Sequence, residues 1–222
     1  MGELELELAI VRLQQEFRVE IVWGAPNVAY RETITRSIVC GRAEDDVALK
    51  LRFEPNGSSS DCTFVDRTSE DTVAKASFVA VQRGLEQRFR VGPIGAGPVV
   101  GVAVTLLDAT LPPEPNLEAI ERVSAQCWQE ATRHLAVSIL EPIVKVEVET
   151  PEEYLGDVIG DLISRRGQVR GMEARGTFQV LMALVPLCNL FGYVNALKRF
   201  TEGRARFTMA FDHYEQVPKT AR

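Results

Sequence analysis

Histidine and cysteine, the side chains that hold zinc and iron–sulfur clusters, are scarce in this 222-residue chain. It has two histidines and four cysteines, which are His134, His213, Cys40, Cys62, Cys127 and Cys188. No two of the cysteines form a C-x-x-C pair, and only two nitrogen ligands are available. This pattern excludes a zinc finger, an iron–sulfur cluster and a disulfide-stapled scaffold, and it predicts no metal site.

A long apolar run and a phosphate-binding loop are also missing. No apolar segment approaches the roughly 18 residues of a membrane-spanning helix, and the N-terminus lacks a basic-then-apolar signal pattern. The glycine-rich residues 95–101 contain a proline and no Gly-Lys-Ser/Thr, so we interpret them as a helix-to-strand turn. The sequence therefore predicts a cytoplasmic protein with no membrane partner.

No constellation of catalytic residues is visible either. His134 lies near a predicted helix end and His213 at a predicted strand end, and neither has a serine or cysteine at a diagnostic spacing. We therefore assign no catalytic residue and no cofactor to this chain, and we expect a binding module.

The formal net charge of −6 is unevenly distributed. Residues 1–140 carry fourteen Lys/Arg and twenty Asp/Glu, whereas residues 141–222 carry eleven of each. This balance argues against a protein that coats nucleic acid through bulk charge, so any nucleic-acid contact must be local. Basic residues cluster at predicted helix ends, which is typical of solvated helix termini but also makes them candidates for such a contact. The clustered residues are Arg165, Arg166, Arg170, Lys198, Arg199, Arg204 and Arg206.

The C-terminal residues 141–222 are predicted to form a ferredoxin-like βαββαβ domain. Alternating or β-branched segments predict strands at residues 143–149, 168–175, 177–185 and 204–212. Helical spacing of apolar residues predicts one helix after the first strand and a second helix after the third.

The first of these helices has the most distinct start and stop signals. Thr150, followed by Pro151 and then Glu153, predicts an N-cap with a capping box. Apolar residues then follow at helical spacing as far as Ile163, and Gly167 is expected to be the glycine that ends the helix.

Residues 29–140 predict two helices packed on one sheet. Residues 47–53 alternate between apolar and polar, which is typical of a strand with one buried face. Residues 98–107 form an almost unbroken apolar run, which indicates a strand covered on both faces. Helical patterns run over residues 72–89 and 117–135.

Several residue strings are specific enough to indicate a family. They are L-E-P-I-V-K-V-E-V-E-T-P-E-E-Y-L-G-D-V-I-G-D-L at 140–162, R-R-G at 165–167, G-M-E-A-R-G at 171–176, F-G-Y at 191–193 and G-R-A-R-F-T-M at 203–209. These strings strongly resemble the last domain of bacterial elongation factor G, the translational GTPase that drives translocation on the ribosome. V-A-Y-R-E-T-I at 28–34 resembles the first strand of that family's fourth domain, and residues 1–17 resemble the end of its third domain.

The resemblance implies an α+β chain with two whole domains after a remnant of a third. Residues 1–28 would be the remnant of domain III, and their apolar side chains predict a contact with domain IV or between chains. Residues 29–140 would be a domain IV-like unit with a ribosomal protein S5 domain 2-like fold. Residues 141–222 would be a domain V-like unit with the ferredoxin-like fold.

The function implied by the resemblance is ribosome engagement. The partners would be ribosomal RNA and ribosomal proteins, and the step would be translocation or ribosome recycling. GTP and magnesium would bind to a G domain of the parent protein, because no phosphate loop is present in this chain. RNA contacts are implied for Arg165, Arg166, Lys198, Arg199 and Arg204.

In this family, one end of domain IV enters the decoding site. Two loops of this chain would form that end, which we call the tip, and both depart from the family pattern. The first would contain Gly41 and Arg42 and is short and acidic here. The second would contain Pro112, Pro113 and Asn116, and it lacks the histidine usual in the family. Because such changes weaken phosphate contacts, the sequence predicts a diverged paralogue. The alternative is a non-catalytic protein–protein interaction module that kept the fold and lost ribosome action.

Overall fold

The computed structural model describes residues 16, 27–58, 60–68 and 73–218. The predictions made for residues 1–28, including the contact between chains, therefore lie outside the described residues apart from residues 16, 27 and 28. Within the described ranges, no helix is long and apolar enough to cross a membrane.

The first half of the described chain forms a four-stranded sheet with two helices. The sheet order is β2-β3-β5-β4, in which β4 runs parallel to β5 and the other neighbours are antiparallel. A further strand, β1, pairs outside this sheet. The elements are β1 (Arg31–Ile34), β2 (Ile38–Glu44), β3 (Val47–Pro55), β4 (Thr63–Asp66), α1 (Lys75–Phe89), β5 (Val102–Thr110) and α2 (Leu117–Thr132).

Apolar alternation in β3 positions the core of this half. Leu51 and Phe53 have no exposed surface, because their side chains point to the face that the two helices cover. The Phe53 ring makes an edge-on contact with Trp128 of α2 at a centroid distance of 5.2 Å. The predicted strand at 47–53 and both predicted helices are confirmed, whereas β2 and β4 were not predicted.

The second half forms the predicted βαββαβ arrangement. Its four strands lie in the order β9-β6-β8-β7, and all neighbours are antiparallel. Two helices pack on one face of this sheet and enclose a core that includes Val146, Leu162 and Leu181. The elements are β6 (Val137–Pro151), α3 (Leu155–Ser164), β7 (Gln168–Arg175), β8 (Phe178–Pro186), α4 (Tyr193–Phe200) and β9 (Arg206–Gln216).

The predicted capping box at the start of α3 is wrong. Thr150 and Pro151 are the last residues of β6, where they pair with Gln179 and Phe178 of β8. A short 3₁₀ turn, Glu152–Tyr154, follows before the helix starts, and it has no side-chain cap hydrogen bond. The local pattern of these residues favours a helix start, but their hydrogen bonds with β8 keep them in β6. Pairing with β8 outweighs a capping preference of about 1 kcal/mol.

The end of α3 differs from the prediction by one residue. Arg166, not Gly167, adopts the left-handed backbone conformation, with φ of 63°. The Arg166 N–H donates to the carbonyl of Ile163, and the Gly167 N–H donates to that of Leu162. These two bonds form a Schellman motif, in which the left-handed position is usually a glycine. Gly167 is required for a different reason, since a Cβ there would overlap the Leu162 carbonyl.

Strand β6 is shared by the two halves. Its first residues pair with β1, and the rest of it pairs with β8 on one side and β9 on the other. One core lies on each side of its middle, the first including Ile34 and the second including Val144. The boundary predicted between residues 140 and 141 thus falls inside a continuous strand.

Two helical glycines provide a test of the packing between α1 and α2. A Cβ added at Gly84 of α1 would overlap the carbonyl of Glu121 in α2, whereas a Cβ at Gly160 of α3 would meet nothing within 4 Å. We expect Gly84→Ala to lower the free energy of unfolding by about 1–3 kcal/mol through overpacking. The matched variant Gly160→Ala should raise it by about 0.5–1 kcal/mol, because alanine is the better helix former. Urea denaturation measures both, and an equal effect of the two changes would contradict the close approach of α1 and α2.

Candidate functional site

Lys198 and Arg199 lie in the last turn of α4 with both side chains exposed. The opposite side of the helix carries Tyr193 and Leu197, which are buried in the core. Among the described residues, neither the Lys198 nor the Arg199 side chain has a hydrogen-bond or ion-pair partner. The amphipathic pattern of α4 thus directs two cations away from the domain, where a partner can reach them.

Arg204 follows this helix and is engaged within the domain. Its guanidinium pairs with Glu153 at 2.7 Å, contacts the Tyr154 hydroxyl and lies 4.7 Å from the centre of the Tyr154 ring. These contacts tie the start of β9 to the turn before α3. The side chain remains about half exposed, at 49%, so part of it still faces solvent.

Arg165 and Arg166, at the end of α3, are also engaged internally. Arg165 pairs with Asp161 at 2.7 Å and donates to the carbonyl of Asn189 at 2.7 Å. Arg166 forms two hydrogen bonds with the carboxylate of Glu141, at 2.6 and 3.2 Å. The Arg165 guanidinium thus ties the end of α3 to the residues after β8, and the Arg166 guanidinium ties it to β6.

The structure separates the five predicted RNA-binding residues into two groups at opposite ends of the domain. Arg166 binds Glu141 in the first half of β6. Arg206, which comes soon after α4 and Arg204 in the chain, pairs with Glu149 near the C-terminal end of β6. Eight residues of strand at roughly 3.3 Å each separate these two points by about 26 Å. Lys198, Arg199 and Arg204 share one end, and Arg165 and Arg166 share the other.

The two predicted tip regions come together at one end of the first half. Ala48 of β3 pairs with Ala43 of β2 and with Thr110 of β5, which places the β2–β3 turn beside the loop after β5. Pro112 and Pro113 lie in that loop, and the Asn116 side chain caps α2 by accepting the N–H of Glu118 at 3.0 Å.

The prediction of a first tip loop containing Gly41 and Arg42 is wrong in one respect. Both residues lie inside β2, where they pair with Lys50 and Leu49. The turn itself is only Asp45 and Asp46, because the β2–β3 ladder continues as far as Glu44 and Val47. A shallow cavity of about 270 Å³ opens on the sheet face beside this turn, and its lining includes Gly41, Lys50, Asp108 and Thr110.

Glu44 is a tip residue that the sequence analysis missed. Its carboxylate accepts hydrogen bonds from Arg122 at 2.8 Å and from Gln126 at 2.6 Å, both on α2. These bonds fasten the β2–β3 turn to the helix. No local signal reveals a contact between residues so far apart in the chain.

The glycine-rich turn after α1 binds a carboxylate of its own chain. Glu32 of β1 is fully buried and accepts the backbone N–H groups of Ile94 and Ala96 at 2.9 and 2.7 Å. A Cβ at Gly92 would overlap the Glu32 carboxylate. The turn therefore has a structural role, in agreement with its interpretation from the sequence.

The cysteine thiols of the first core are unsuited to nucleophilic chemistry. Burial, with the neighbouring Cys40, raises the pKa of Cys127 to about 12, and burial also raises the pKa of Cys40. Both thiols therefore stay protonated near neutral pH. Within the described residues, no group of three or more His, Cys, Asp or Glu side chains could hold a metal ion.

Two family models match this chain in sequence. Residues 26–117 match the model described as elongation factor G, domain IV, and residues 138–222 match the model described as elongation factor G C-terminus. The chain belongs to the elongation factor G family. The predicted family and the α+β fold class, with an S5 domain 2-like unit followed by a ferredoxin-like unit, are thereby confirmed. We refer below to the two units as domain IV and the C-terminal domain.

A solved structure supports the same conclusion. A crystal structure of a protein from Thermus thermophilus superposes with a TM-score of 0.85 and 29% sequence identity, over 99% of this chain and 34% of that protein. The elongation factor G-like chain described here thus spans about a third of the length of the protein it matches.

Proposed function

We propose that this chain is the ribosome-engaging part of an elongation factor G-like translation factor. The C-terminal domain would dock on ribosomal RNA, and domain IV would be an arm whose tip reaches toward the decoding site during translocation or recycling. GTP hydrolysis with magnesium would belong to a G domain outside the two matched domains, and the protein would act in the cytoplasm. The observation that carries this proposal is the pair of exposed cations Lys198 and Arg199 on a domain of this family, which have no partner within the part of the chain that the structure describes.

Two explanations compete for the position of Lys198 and Arg199. Cations in the last turn of a helix interact favourably with the helix dipole, by about 0.3–1 kcal/mol each, without any partner. Phosphate contacts would instead release counterions from RNA and make binding depend on salt. Only the second explanation links these side chains to ribosome affinity.

We expect the double variant Lys198→Ala, Arg199→Ala to bind ribosomes more weakly. The slope of log affinity against log salt should fall by roughly one unit per replaced residue, because each lost cation releases about one counterion fewer. Pelleting of the chain with ribosomes over a salt series measures both quantities. A matched double variant, Arg88→Ala, Arg90→Ala, removes the same charge from the exposed C-terminal end of α1 in domain IV and should keep the wild-type slope. Equal slopes for all three proteins would contradict the phosphate contacts.

The alternative function, a protein–protein interaction module, is favoured by the charge at the tip. Asp45, Asp46 and Glu114 are exposed there and would be repelled by RNA phosphates. The same pelleting series separates the two functions. Absence of wild-type binding even at low salt would favour the interaction module.

A further inference from the structure

The joint between the two domains contains a buried carboxylate. Glu141 lies on β6, between Leu140, which pairs with Arg31 of β1, and Pro142, which pairs with Tyr214 of β9. Its side chain is only 3% exposed, and both of its oxygens are bound by Arg166. A bend or twist of β6 at this point would change the angle between the domains, because β6 is the strand that passes from one core to the other.

Arg166 reaches Glu141 from a backbone conformation that suits glycine better. Its φ of 63° places it in the left-handed region, where a side chain other than glycine is strained. Glycine at this position would end α3 equally well, so the helix terminus alone does not explain an arginine. The hydrogen bonds with Glu141 raise the pKa of Arg166, which keeps the guanidinium charged. The ion pair accounts for the arginine.

Domain IV contributes to the same cluster through Tyr30, the residue before β1. The thiol of Cys188, which follows β8, lies 3.0 Å from the side-chain oxygen of Asn189 and 3.5 Å from the Glu141 carboxylate, and it interacts electrostatically with Tyr30. Burial and the Glu141 charge raise the pKa of Cys188, so the thiol stays protonated and can donate. Tyr30, Cys188, Glu141 and Arg166 therefore form one connected cluster across the joint.

A second contact spans the joint beside this cluster. The Tyr214 hydroxyl of β9 donates to the carbonyl of Ala29 at 3.1 Å, and the Arg31 guanidinium lies 4.3 Å from the centre of the Tyr214 ring. The chain that leads into domain IV is thus held against the C-terminal domain on both sides of Glu141.

We propose that Glu141 and Arg166 are positioning residues that fix the angle between the domain IV arm and the C-terminal domain. This inference rests on the proposed function, since a rigid arm matters only if the tip and the RNA-facing end must contact one partner at the same time. Two parallel N–H···O bonds from one guanidinium to one carboxylate fix the direction of the contact as well as its distance, because a bidentate pair adds geometric specificity.

The first test measures the angle without any partner. Spin labels attached to ketone side chains introduced at Glu118 and Asn195, both exposed, report the distance between the tip end of α2 and α4 and leave the four cysteines untouched. We expect Arg166→Gly, which suits the left-handed backbone, to broaden and shift this distance distribution. Asp161→Asn is the matched control, because it breaks the neighbouring ion pair with Arg165 inside the C-terminal domain. It should leave the distribution unchanged.

An unchanged distribution in Arg166→Gly would overturn the inference. If that variant does not fold, Glu141→Gln decides, because it removes the charge of the carboxylate that Arg166 binds and keeps a side chain of the same size. We expect Glu141→Gln to broaden the distribution, and a wild-type distribution in this variant would then overturn the inference.

The second test connects the angle to ribosome binding. If loosening the joint leaves about a fifth of the molecules at the competent angle, the apparent dissociation constant of Arg166→Gly for ribosomes should rise about fivefold. Asp161→Asn should bind as wild type does. A variant with a broadened distribution and wild-type affinity would overturn the positioning role. Absence of wild-type binding would count against the proposed function, whereas the distance measurement would still decide whether the pair fixes the angle.

Discussion

Replacing Phe53 with alanine is expected to lower the free energy of unfolding by about 3–5 kcal/mol. Phe53 is fully buried in β3, and its ring contacts Trp128, which in turn contacts Phe89 at a centroid distance of 4.7 Å. The change removes the aromatic group between the sheet and α2 and leaves a cavity that the fixed ladders on both sides of β3 cannot close. Urea denaturation followed by circular dichroism measures the loss.

Phe211→Ala is the matched control for this change. The side chain of Phe211 in β9 is 60% exposed, so the same truncation leaves no cavity. We expect a change within about 0.5 kcal/mol, as is usual for surface substitutions. A cost for Phe53→Ala below about 1 kcal/mol, well under the cavity range, would contradict the packing of α2 on β3.

Leu162→Ala should lower the free energy of unfolding by about 2–5 kcal/mol. This substitution leaves a cavity in the core of the C-terminal domain. Leu162 lies in α3 with no exposed surface and packs in the cluster that includes Val158 and Leu181. Its carbonyl also accepts the N–H of Gly167, so the residue lies where the helix turns back toward β7. Thermal and urea unfolding of the variant measure the change.

Ile163 provides the comparison for Leu162, one position further along the helix. Its side chain is 59% exposed, so Ile163→Ala deletes a similar apolar group from the surface. The free energy of unfolding should then change by no more than about 0.5 kcal/mol. Similar costs for the two substitutions would mean that α3 is rotated from the orientation described here.

The elements were predictable where local pattern and tertiary burial agree. The alternation in β3 and the spacing of Val158 and Leu162 in α3 each identify a buried face, whereas Ile163, which the same apolar spacing included, is exposed. Strand β2 was missed because only one of its side chains, Cys40, is buried, so its sequence shows no strict alternation. Strand β4 was missed because it is four residues long and none of its side chains is buried.

The candidate site was predictable only in part, and its arginines show why. Sequence pattern placed Arg165, Arg166 and Arg204 at helix ends, and the structure finds them there or close by. An arginine at a helix end can bind an external partner only if no carboxylate of the chain already binds it. Glu153 binds Arg204 and Glu141 binds Arg166, and both carboxylates come from distant parts of the sequence. Periodicity contains no information about these distant partners.

The sequence by itself determined the family, the βαββαβ order of the C-terminal domain and the buried face of β3, because burial of apolar side chains is a local and periodic requirement. Only the tertiary structure decided that β6 passes unbroken between the domains, that Glu141 is buried at their joint, and that the side chains of Lys198 and Arg199 are exposed. Strand length and ion pairing are set by neighbours that lie far away in the chain. Their energies depend on distance and burial in three dimensions, which the order of residues does not specify.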